Sequence, residues 1–169
     1  MSAQTAWLSS RLTYTSTEAS TEMVAMQVRN PLFAESVRES FALQGAMRTL
    51  GATLDSVEPG RAVIGMTHRP ELTQQNGFIH AGMLATALDS ACGYAAATLM
   101  AADVGVLTIE FKINLLAPAR GPLLRFEGVV TKSGRTISVV DGKAFQLDAA
   151  GLHPQLVATM TATVMAVAA

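Results

Sequence analysis

Apolar residues follow a helical period in two segments of the chain. From Gly82 to Met100 they recur every three or four residues, which predicts one long helix. A shorter helix is predicted between Pro31 and Leu50, because proline suits the first turn of a helix and Gly51 is able to end one. The longer and more apolar of the two is therefore the candidate centre of the core.

The remaining apolar pattern has a period of two, which is typical of strands with one buried face. Strands are predicted at residues 52–57, 61–66, 107–115, 123–131, 136–147 and 156–167. In the third of these, Leu, Ile and Phe alternate with Thr, Glu, Lys and Asn, and we expect the apolar set to be buried. Residues 68–78 are predicted to form a loop, and residues 132–135 a tight hairpin.

The order of these elements predicts an α+β domain, in which a curved antiparallel sheet packs against one long central helix. One helix covers only one face of a sheet. The other face and an exposed edge strand therefore favour self-association, as a homodimer or a dimer of dimers.

Length and composition fit one such domain. The chain has 169 residues, of which 50% are hydrophobic and 15% charged, and this suits a domain over residues 31–169 after a Ser/Thr-rich tail over residues 1–30. A formal charge of −1 and an aromatic share of 5% argue against a nucleic-acid partner. The tail lacks a secretory signal pattern, and Asp89 interrupts the longest apolar segment, so we expect a cytoplasmic protein without membrane association.

Asp89 is the residue that points most directly to chemistry. It lies in the middle of the long apolar helix, where a carboxylate is costly unless it is paired, hydrogen-bonded or functional. Its helical neighbours three and four positions away are all small, which leaves room for a ligand or another chain. The structural alternative is a buried aspartate bonded to Thr86 or to a backbone donor.

The start of the same helix is a second candidate site. His80, Ala81 and Gly82 open it, and the unpaired N–H groups at a helix N-terminus can stabilise negative charge on a carbonyl oxygen. Asp89 lies roughly 10 to 13 Å further along the axis, at about 1.5 Å per residue. We therefore expect Asp89 of one subunit to meet the helix start of another.

These residues resemble the signature of PaaI-like hotdog-fold acyl-CoA thioesterases. The similarity lies in the run QQNGFIHAG at residues 74–82, followed by Asp89 and Gly93. Residues 108–119 and 132–140 are similar to further blocks of that family, so the resemblance extends over roughly residues 31–167. It implies a hotdog fold, with the sheet wrapped around the central helix, and hydrolysis of an acyl-CoA to a free acid and CoA.

The resemblance also implies a role for each matching residue. Asp89 would be the nucleophile on the thioester carbon or the base that activates water, and would be ionised at neutral pH. The N–H of Ala81 would polarise the thioester oxygen, Gln74 would orient the carbonyl or the water, and Thr108 would position the water. His80 is expected to orient the loop, with direct catalysis as the alternative. The family usually has glycine at the position of Ala81, so here a Cβ lies beside the thioester.

Candidate residues that bind the substrate lie in two places. Lys132 and Arg135, with the backbone of Ser133 and Gly134, form a basic hairpin tip that suits the phosphates of CoA, and a solvated turn is the alternative. The candidates that adjoin the carbonyl site are Asn76 and Gly82. The nine methionines are expected to pack the core and an acyl pocket.

No metal site and no resident cofactor are expected, since CoA is part of the substrate. The histidines His68, His80 and His153 lack the spacing of metal ligands. The single cysteine, Cys92, excludes an internal disulfide and fits a small packed residue better than a thiol nucleophile.

Two other functions fit the same fold. One is a module that binds acyl-CoA as a sensor or carrier without turnover. The other is a dehydratase or hydratase of 3-hydroxyacyl thioesters, which needs an acid–base pair, and no second carboxylate or histidine is well placed beside Asp89. The sequence does not separate aromatic from medium-chain acyl groups, because one methylene changes discrimination by only about 1 to 3 kcal/mol.

Overall fold

A computed structural model describes residues 26–168. Most of the predicted tail, residues 1–25, lies outside the described residues. Residues 26–30 lead into the first helix, and Val28 among them packs against the core. Within the described residues the helices are α1 (Phe33–Leu43), α2 (Gly45–Leu50) and α3 (Ala81–Ala97). The strands are β1 (Thr53–Glu58), β2 (Arg61–Thr67), β3 (Val104–Leu115), β4 (Leu123–Ser133), β5 (Ile137–Leu147) and β6 (Gln155–Ala168).

The six strands form one antiparallel sheet in the order β1-β2-β4-β5-β6-β3. β1 and β3 are its edges. α3 packs across one face of this sheet and contributes the largest part of the helical core, with Leu84, Leu88 and Ala91 buried. The α+β prediction, a sheet around one central helix, is confirmed.

Two glycines allow α3 to lie close to the sheet. Gly128 on β4 and Gly142 on β5 are directly paired in the centre of the sheet. A Cβ at Gly128 would collide with the backbone of Ala91, and a Cβ at Gly142 would lie 2.9 Å from the Sγ of Cys92. The helix therefore rests on a part of the sheet that has no side chains.

The prediction of one helix from Pro31 to Leu50 is wrong. Gln44 adopts an extended backbone (φ −73°, ψ 106°), which ends α1, and α2 begins at Gly45. Glycine is among the weakest helix formers, so the helix is interrupted at the junction of Gln44 and Gly45. Gly51 ends α2 in the left-handed conformation (φ 65°), as its position in the sequence indicates.

The expectation that β3 buries its apolar face is also wrong for a single chain. Leu107, Ile109, Phe111 and Leu115 are each between 43% and 56% exposed. β3 is an edge strand, and a bulge between Thr108 and Glu110 shifts its register against β6, so the alternating residues do not all share one face. The sequence of β3 does alternate between apolar and polar residues, but within the described residues the chain does not bury these apolar side chains.

None of the helices among residues 26–168 is long and apolar enough to cross a membrane.

Candidate active site

Asp89 is held by a side chain from the opposite element. It lies at the middle of α3, and the Thr108 hydroxyl on β3 donates a hydrogen bond of 2.8 Å to its Oδ1. Thr86, the candidate structural partner, instead donates to the carbonyl oxygen of Gly82 at 2.8 Å. The structure therefore brings together two predicted site residues, one on the helix and one on the strand.

The environment of Asp89 sets its acidity in two opposing ways. Partial burial raises the pKa of the Asp89 carboxyl above its ordinary value, because burial disfavours the charged form. The hydrogen bond from Thr108 acts in the other direction, because it stabilises the carboxylate. The net direction is upward, whereas the sequence-based expectation assumes an unperturbed aspartate.

A cavity of about 570 Å³ opens beside Asp89 and Thr108. α1, α3 and the first residues of β3 form its walls, and its apolar lining includes Phe33, Val37 and Val106. Contrary to the predicted methionine-rich pocket, no methionine of the described residues lines it. The volume lies within the range of small-molecule sites, which is roughly 300 to 1,000 Å³.

The start of α3 presents one free N–H donor, that of Ala81, to the surface. His80 is the N-cap residue, and its Nδ1 accepts a hydrogen bond of 2.9 Å from the N–H of Gly82. Met83 donates to the carbonyl oxygen of His80. Among residues 26–168, the N–H of the exposed residue Ala81 has no acceptor. This N–H and the positive end of the helix dipole can bind a carbonyl oxygen, and His80 acts as the cap that orders the turn.

The loop before α3 is held by its own hydrogen bonds. Gln74 donates from its N–H to Phe78 O at 2.8 Å, and its Oε1 accepts from the N–H of Asn76. Gly77 closes the turn with φ at 79°, a conformation that side chains disfavour. Gln74 and Asn76 therefore stand beside the helix start, in an ordered turn.

The predicted site divides into two halves within one chain. Asp89 and Thr108 line the cavity, but Gln74, His80 and Ala81 do not. Asp89 lies eight positions after Ala81 in the helix, which is roughly 12 Å along the axis. A single carbonyl group cannot contact both halves of the same chain.

The basic hairpin lies at the end of the sheet that carries Leu107, one of the residues that line the cavity. Met165 on β6 pairs with Leu107, which lines the cavity, and with Ile137 at the base of the hairpin. Lys132, Ser133 and Arg135 are the exposed residues of the tip.

The N–H and the carbonyl oxygen of Gly134 both form hydrogen bonds within the protein. Its N–H donates to Ile137 O at 2.9 Å, and its carbonyl oxygen accepts from Arg29 at 3.3 Å. Contrary to the prediction, the Gly134 N–H is thus not available to a phosphate. The hairpin retains Lys132 and Arg135 as its cations.

Cys92 is a packing residue. It is fully buried against Gly142, and burial, with further contributions from Asp89 and Asp141, raises the pKa of its thiol to about 12. A thiol with this pKa stays protonated and is a poor nucleophile. Within the part of the chain that the structure describes, no group of three or more His, Cys, Asp or Glu side chains is arranged to hold a metal ion.

The contribution of α1 to the site was not among the predictions from the sequence. Ser36, Ser40 and Gln44 line the cavity, and so does Tyr94 on α3. A signal for this was present, because Ser36, Ser40 and Gln44 recur every four residues and so would share one face of a helix. That polar stripe lines the same cavity as Asp89, and Ser36 and Ser40 remain exposed to solvent.

The chain is similar in sequence and in structure to known proteins. A thioesterase family protein from Silicibacter pomeroyi has a crystal structure that superposes with a TM-score of 0.78 and 48% identity, covering 81% of this chain and 99% of that protein. Residues 76–151, which include the start of α3 and Asp89, match the thioesterase superfamily. The chain belongs to the thioesterase superfamily. The hotdog fold and the family resemblance predicted from the sequence are thereby confirmed.

Two further proteins are similar to this thioesterase-family chain. A protein of Saccharolobus solfataricus, provisionally named an esterase, is 38% identical over 87 residues, which are 51% of this chain and 61% of that protein. The match thus spans about three fifths of that relative. The PaaI protein of the phenylacetic acid degradation operon of E. coli superposes with a TM-score of 0.69 at 18% identity, covering 80% of this chain and 96% of that one. At this identity the likeness is one of fold. Membership in the family supports the prediction of a thioester hydrolase.

Proposed function

We propose that this protein hydrolyses an acyl-CoA, with an aromatic or medium-chain acyl group, to the free acid and CoA. The observation that carries the proposal is the Asp89 carboxylate, fixed by Thr108 at the wall of a cavity of about 570 Å³. A carboxylate that is held by one hydrogen bond and faces a cavity can act on a bound carbonyl. Thioester hydrolysis is also the chemistry that names the superfamily.

The proposed reaction uses Asp89 at the thioester carbon. As a general base, Asp89 takes a proton from water, and the oxygen of that water forms a bond to the carbonyl carbon. The carbonyl electrons move to oxygen, and the Ala81 N–H stabilises the resulting oxyanion. Collapse breaks the carbon–sulfur bond, and the thiolate of CoA takes the proton from Asp89. As a nucleophile, Asp89 would instead attack the carbonyl carbon, the carbon–sulfur bond would break, and the thiolate of CoA would leave and take a proton from solvent. Water would then cleave the resulting mixed anhydride to the free acid and the Asp89 carboxylate.

The two halves of the site require a second copy of the chain. Ala81 lies too far along α3 to serve the same carbonyl as Asp89 of its own chain. β3, which carries Thr108, is an edge strand that pairs only with β6 within the described residues, and it has exposed apolar residues. Such an edge favours pairing with another chain. The proposed active unit is therefore a homodimer, alone or doubled, in which Ala81 and Gln74 of one subunit face Asp89 and Thr108 of the other.

The CoA moiety is proposed to lie near the basic hairpin. Lys132 and Arg135 are exposed at the end of the sheet that carries Leu107, a residue of the cavity lining. Arginine and lysine side chains bind phosphate oxygens through charge-assisted hydrogen bonds. In this arrangement Arg29 supports the hairpin through its bond to Gly134.

The experiment is release of the CoA thiol from a panel of phenylacetyl, hydroxybenzoyl, short-chain, medium-chain and long-chain acyl-CoAs. Native protein should turn over a subset, and Asp89→Asn should lower kcat by roughly 10² to 10⁴-fold. Asp55→Asn is the matched control, because Asp55 also accepts a 2.8 Å hydrogen bond from a threonine hydroxyl, that of Thr53, but lies on the opposite edge strand. It should leave turnover unchanged.

Each outcome has a clear meaning. Turnover that is lost in Asp89→Asn and kept in Asp55→Asn supports the hydrolase. Turnover that survives in Asp89→Asn contradicts the role of Asp89. Binding of acyl-CoA to native protein without any thiol release would instead favour the sensor or carrier.

A further inference from the structure

The loop before α3, residues 73–80, contacts the turn between β3 and β4. The N–H of Ile79 donates a hydrogen bond of 2.8 Å to the carbonyl oxygen of Ala119. Beside this bond, the guanidinium of Arg120 lies over the ring of Phe78, with its Cζ atom 4.3 Å from the ring centroid. A cation at this distance is attracted to the face of an aromatic ring. One backbone bond and one cation–π contact therefore join the loop to the turn.

The backbone of Arg120 is fixed by a side chain of β5. The Oε1 atom of Gln146 accepts hydrogen bonds from the N–H of Arg120 at 2.9 Å and from that of Gly121 at 2.8 Å. A Cβ at Gly121 would lie 2.9 Å from the Cβ of Gln146, so this close approach requires glycine. Within the described residues no carboxylate forms an ion pair with Arg120, so its contact with Phe78 does not compete with a salt bridge.

Phe78 is coupled to Gln74 through the backbone of the loop. The carbonyl oxygen of Phe78 accepts the N–H of Gln74 at 2.8 Å, and the carbonyl oxygen of Gln74 accepts the N–H of Gly77 at 3.0 Å. Phe78 also lies three positions before Ala81, whose N–H is the free donor at the start of α3. A displacement of the Phe78 ring would therefore disturb both Gln74 and the N–H of Ala81.

His68 provides a second side-chain contact to the same loop. Its Nε2 atom lies 3.2 Å from the carbonyl oxygen of Gly77. Because a carbonyl oxygen only accepts, Nε2 carries the proton of this hydrogen bond. The backbone N–H of His68 donates to the carbonyl oxygen of Pro122 at 2.9 Å. His68 thus connects the loop to the same turn that carries Arg120.

We infer that Arg120 and His68 are positioning residues, which hold Gln74 and the start of α3 in the arrangement that receives the thioester carbonyl. The inference rests on the proposed hydrolase. Neither side chain lines the cavity at Asp89, so each acts through the loop rather than on the reacting atoms. Their effect should appear in kcat rather than in KM, because the N–H of Ala81 acts most strongly on the charge that develops in the transition state.

The test compares kcat and KM for the acyl-CoA that native protein hydrolyses fastest. Arg120→Ala should lower kcat by about twofold to fivefold, the factor that corresponds to an exposed cation–π contact, and should leave KM within about twofold. Arg120→Lys keeps a cation over the ring and should restore most of kcat. His68→Ala should lower kcat to a similar extent, and His68→Gln, whose amide can donate to Gly77, should restore it.

Phe78→Leu tests whether the ring is the partner of Arg120. This variant keeps an apolar side chain but removes the aromatic face. Combined with Arg120→Ala, it should lower kcat no further than the more damaging of the two single substitutions, because one contact is lost in each case. Losses that multiply in the double variant would overturn the cation–π contact as the cause.

Arg125→Ala is the matched control. Arg125 on β4 also lies over a phenylalanine ring, that of Phe145 on β5 at 5.1 Å, but this pair belongs to the sheet rather than to the loop. Its kcat and KM should match those of native protein. Equal losses of kcat in Arg120→Ala and Arg125→Ala would overturn the inference. So would an Arg120→Ala protein with a raised KM and an unchanged kcat, because Arg120 would then bind the substrate itself.

Amide hydrogen exchange tests the inference independently of turnover. Four N–H groups of the loop are hydrogen-bonded, those of Gln74, Gly77, Ile79 and His80. Arg120→Ala should speed exchange in a peptide that spans residues 73–80 by about twofold to fivefold, and Arg125→Ala should not. Faster exchange supports the ordering of the loop by Arg120, even if native protein releases no thiol. Unchanged exchange counts against this inference alone, whereas absence of thiol release from every acyl-CoA of the panel counts against the proposed hydrolase.

Discussion

The Thr108 hydroxyl on β3 and the Asp89 carboxylate on α3 form a 2.8 Å hydrogen bond across the space between sheet and helix. Nineteen residues separate them in the chain. The bond holds the carboxylate at the cavity wall and stabilises its charged form against the effect of burial. Both the acidity of Asp89 and the stability of the fold should therefore depend on this pair.

The pH dependence of hydrolysis should report the Thr108 bond. Burial raises the pKa of Asp89, and Thr108 lowers it in part. Because the ionised form is the active one, kcat/KM should fall as the pH decreases through the pKa of Asp89. Thr108→Val removes the hydroxyl and should move this acid limb to higher pH. The measurement is kcat/KM against pH for native protein and the variant.

Thr163→Val provides the control for that profile. Thr163 also donates to a carboxylate, Glu110 Oε1 at 3.4 Å, but on the outer face of the sheet. The acid limb of the kcat/KM profile of Thr163→Val should coincide with that of native protein. A limb that stays in place, or moves to lower pH, in Thr108→Val would show that this hydrogen bond does not set the acidity of Asp89.

Asp89 should also reduce the stability of the fold at neutral pH. Its pKa is raised in the folded state, so the ionised carboxylate is less favourable there than in the unfolded chain. Asp89→Asn removes this penalty and should raise the Tm. The penalty is present above the folded-state pKa and disappears as the pH falls towards the unfolded value, which is about 3.9. The gain in Tm should therefore shrink as the pH is lowered.

Thermal unfolding from about pH 8 down to about pH 4 measures this difference. Asp55→Asn, at an exposed pair with Thr53, is the reference for the effect of the substitution itself. An Asp89→Asn protein that is less stable than native protein at neutral pH would contradict the prediction.

The contact between α3 and the sheet should not tolerate a methyl group at Gly128. A Cβ there would overlap the backbone of Ala91, and neither element can move without disturbing the core. Gly128→Ala should lower the free energy of unfolding by about 1 to 3 kcal/mol or more, as overpacking does in other cores. Urea unfolding of the variant gives the value.

Gly45→Ala is the matched glycine substitution. Gly45 is the first residue of α2, and the nearest atom to a Cβ there would be in the Arg48 side chain at 3.6 Å. Alanine favours helix over glycine by up to about 1 kcal/mol, so Gly45→Ala should be neutral or stabilising. Equal losses in both variants would mean that the contact with Ala91 is not the cause.

Self-association should depend on the apolar edge strand. Ile109 lies at the bulge of β3 and is 53% exposed. Ile109→Lys places a charge on the proposed dimer edge and should shift the protein from dimer towards monomer, with loss of thioesterase activity. Sedimentation equilibrium measures the mass.

Leu152→Lys is the control for that experiment, because Leu152 is equally exposed, at 58%, but lies in the turn between β5 and β6. Its mass should equal that of native protein. A native chain that sediments as a monomer while it hydrolyses acyl-CoA would contradict the proposal that two subunits share one active site.

The sequence by itself determined the elements and the central carboxylate. Periodicity located α3 and the six strands, because side-chain burial in a helix or a strand repeats at a fixed local spacing. The same pattern showed Asp89 as a polar interruption, and the family resemblance brought Thr108 into the candidate site. These features depend on neighbours within a few positions of the chain or on a matching motif.

The tertiary structure decided the relations between elements. It paired Thr108 with Asp89, placed β3 at an edge with its apolar side chains exposed, and separated Ala81 from the cavity. It also broke the predicted first helix at Gln44 and brought Ser40 of α1 next to Tyr94. Strand order, register and helix packing arise from contacts between residues far apart in the chain, and no local period encodes them.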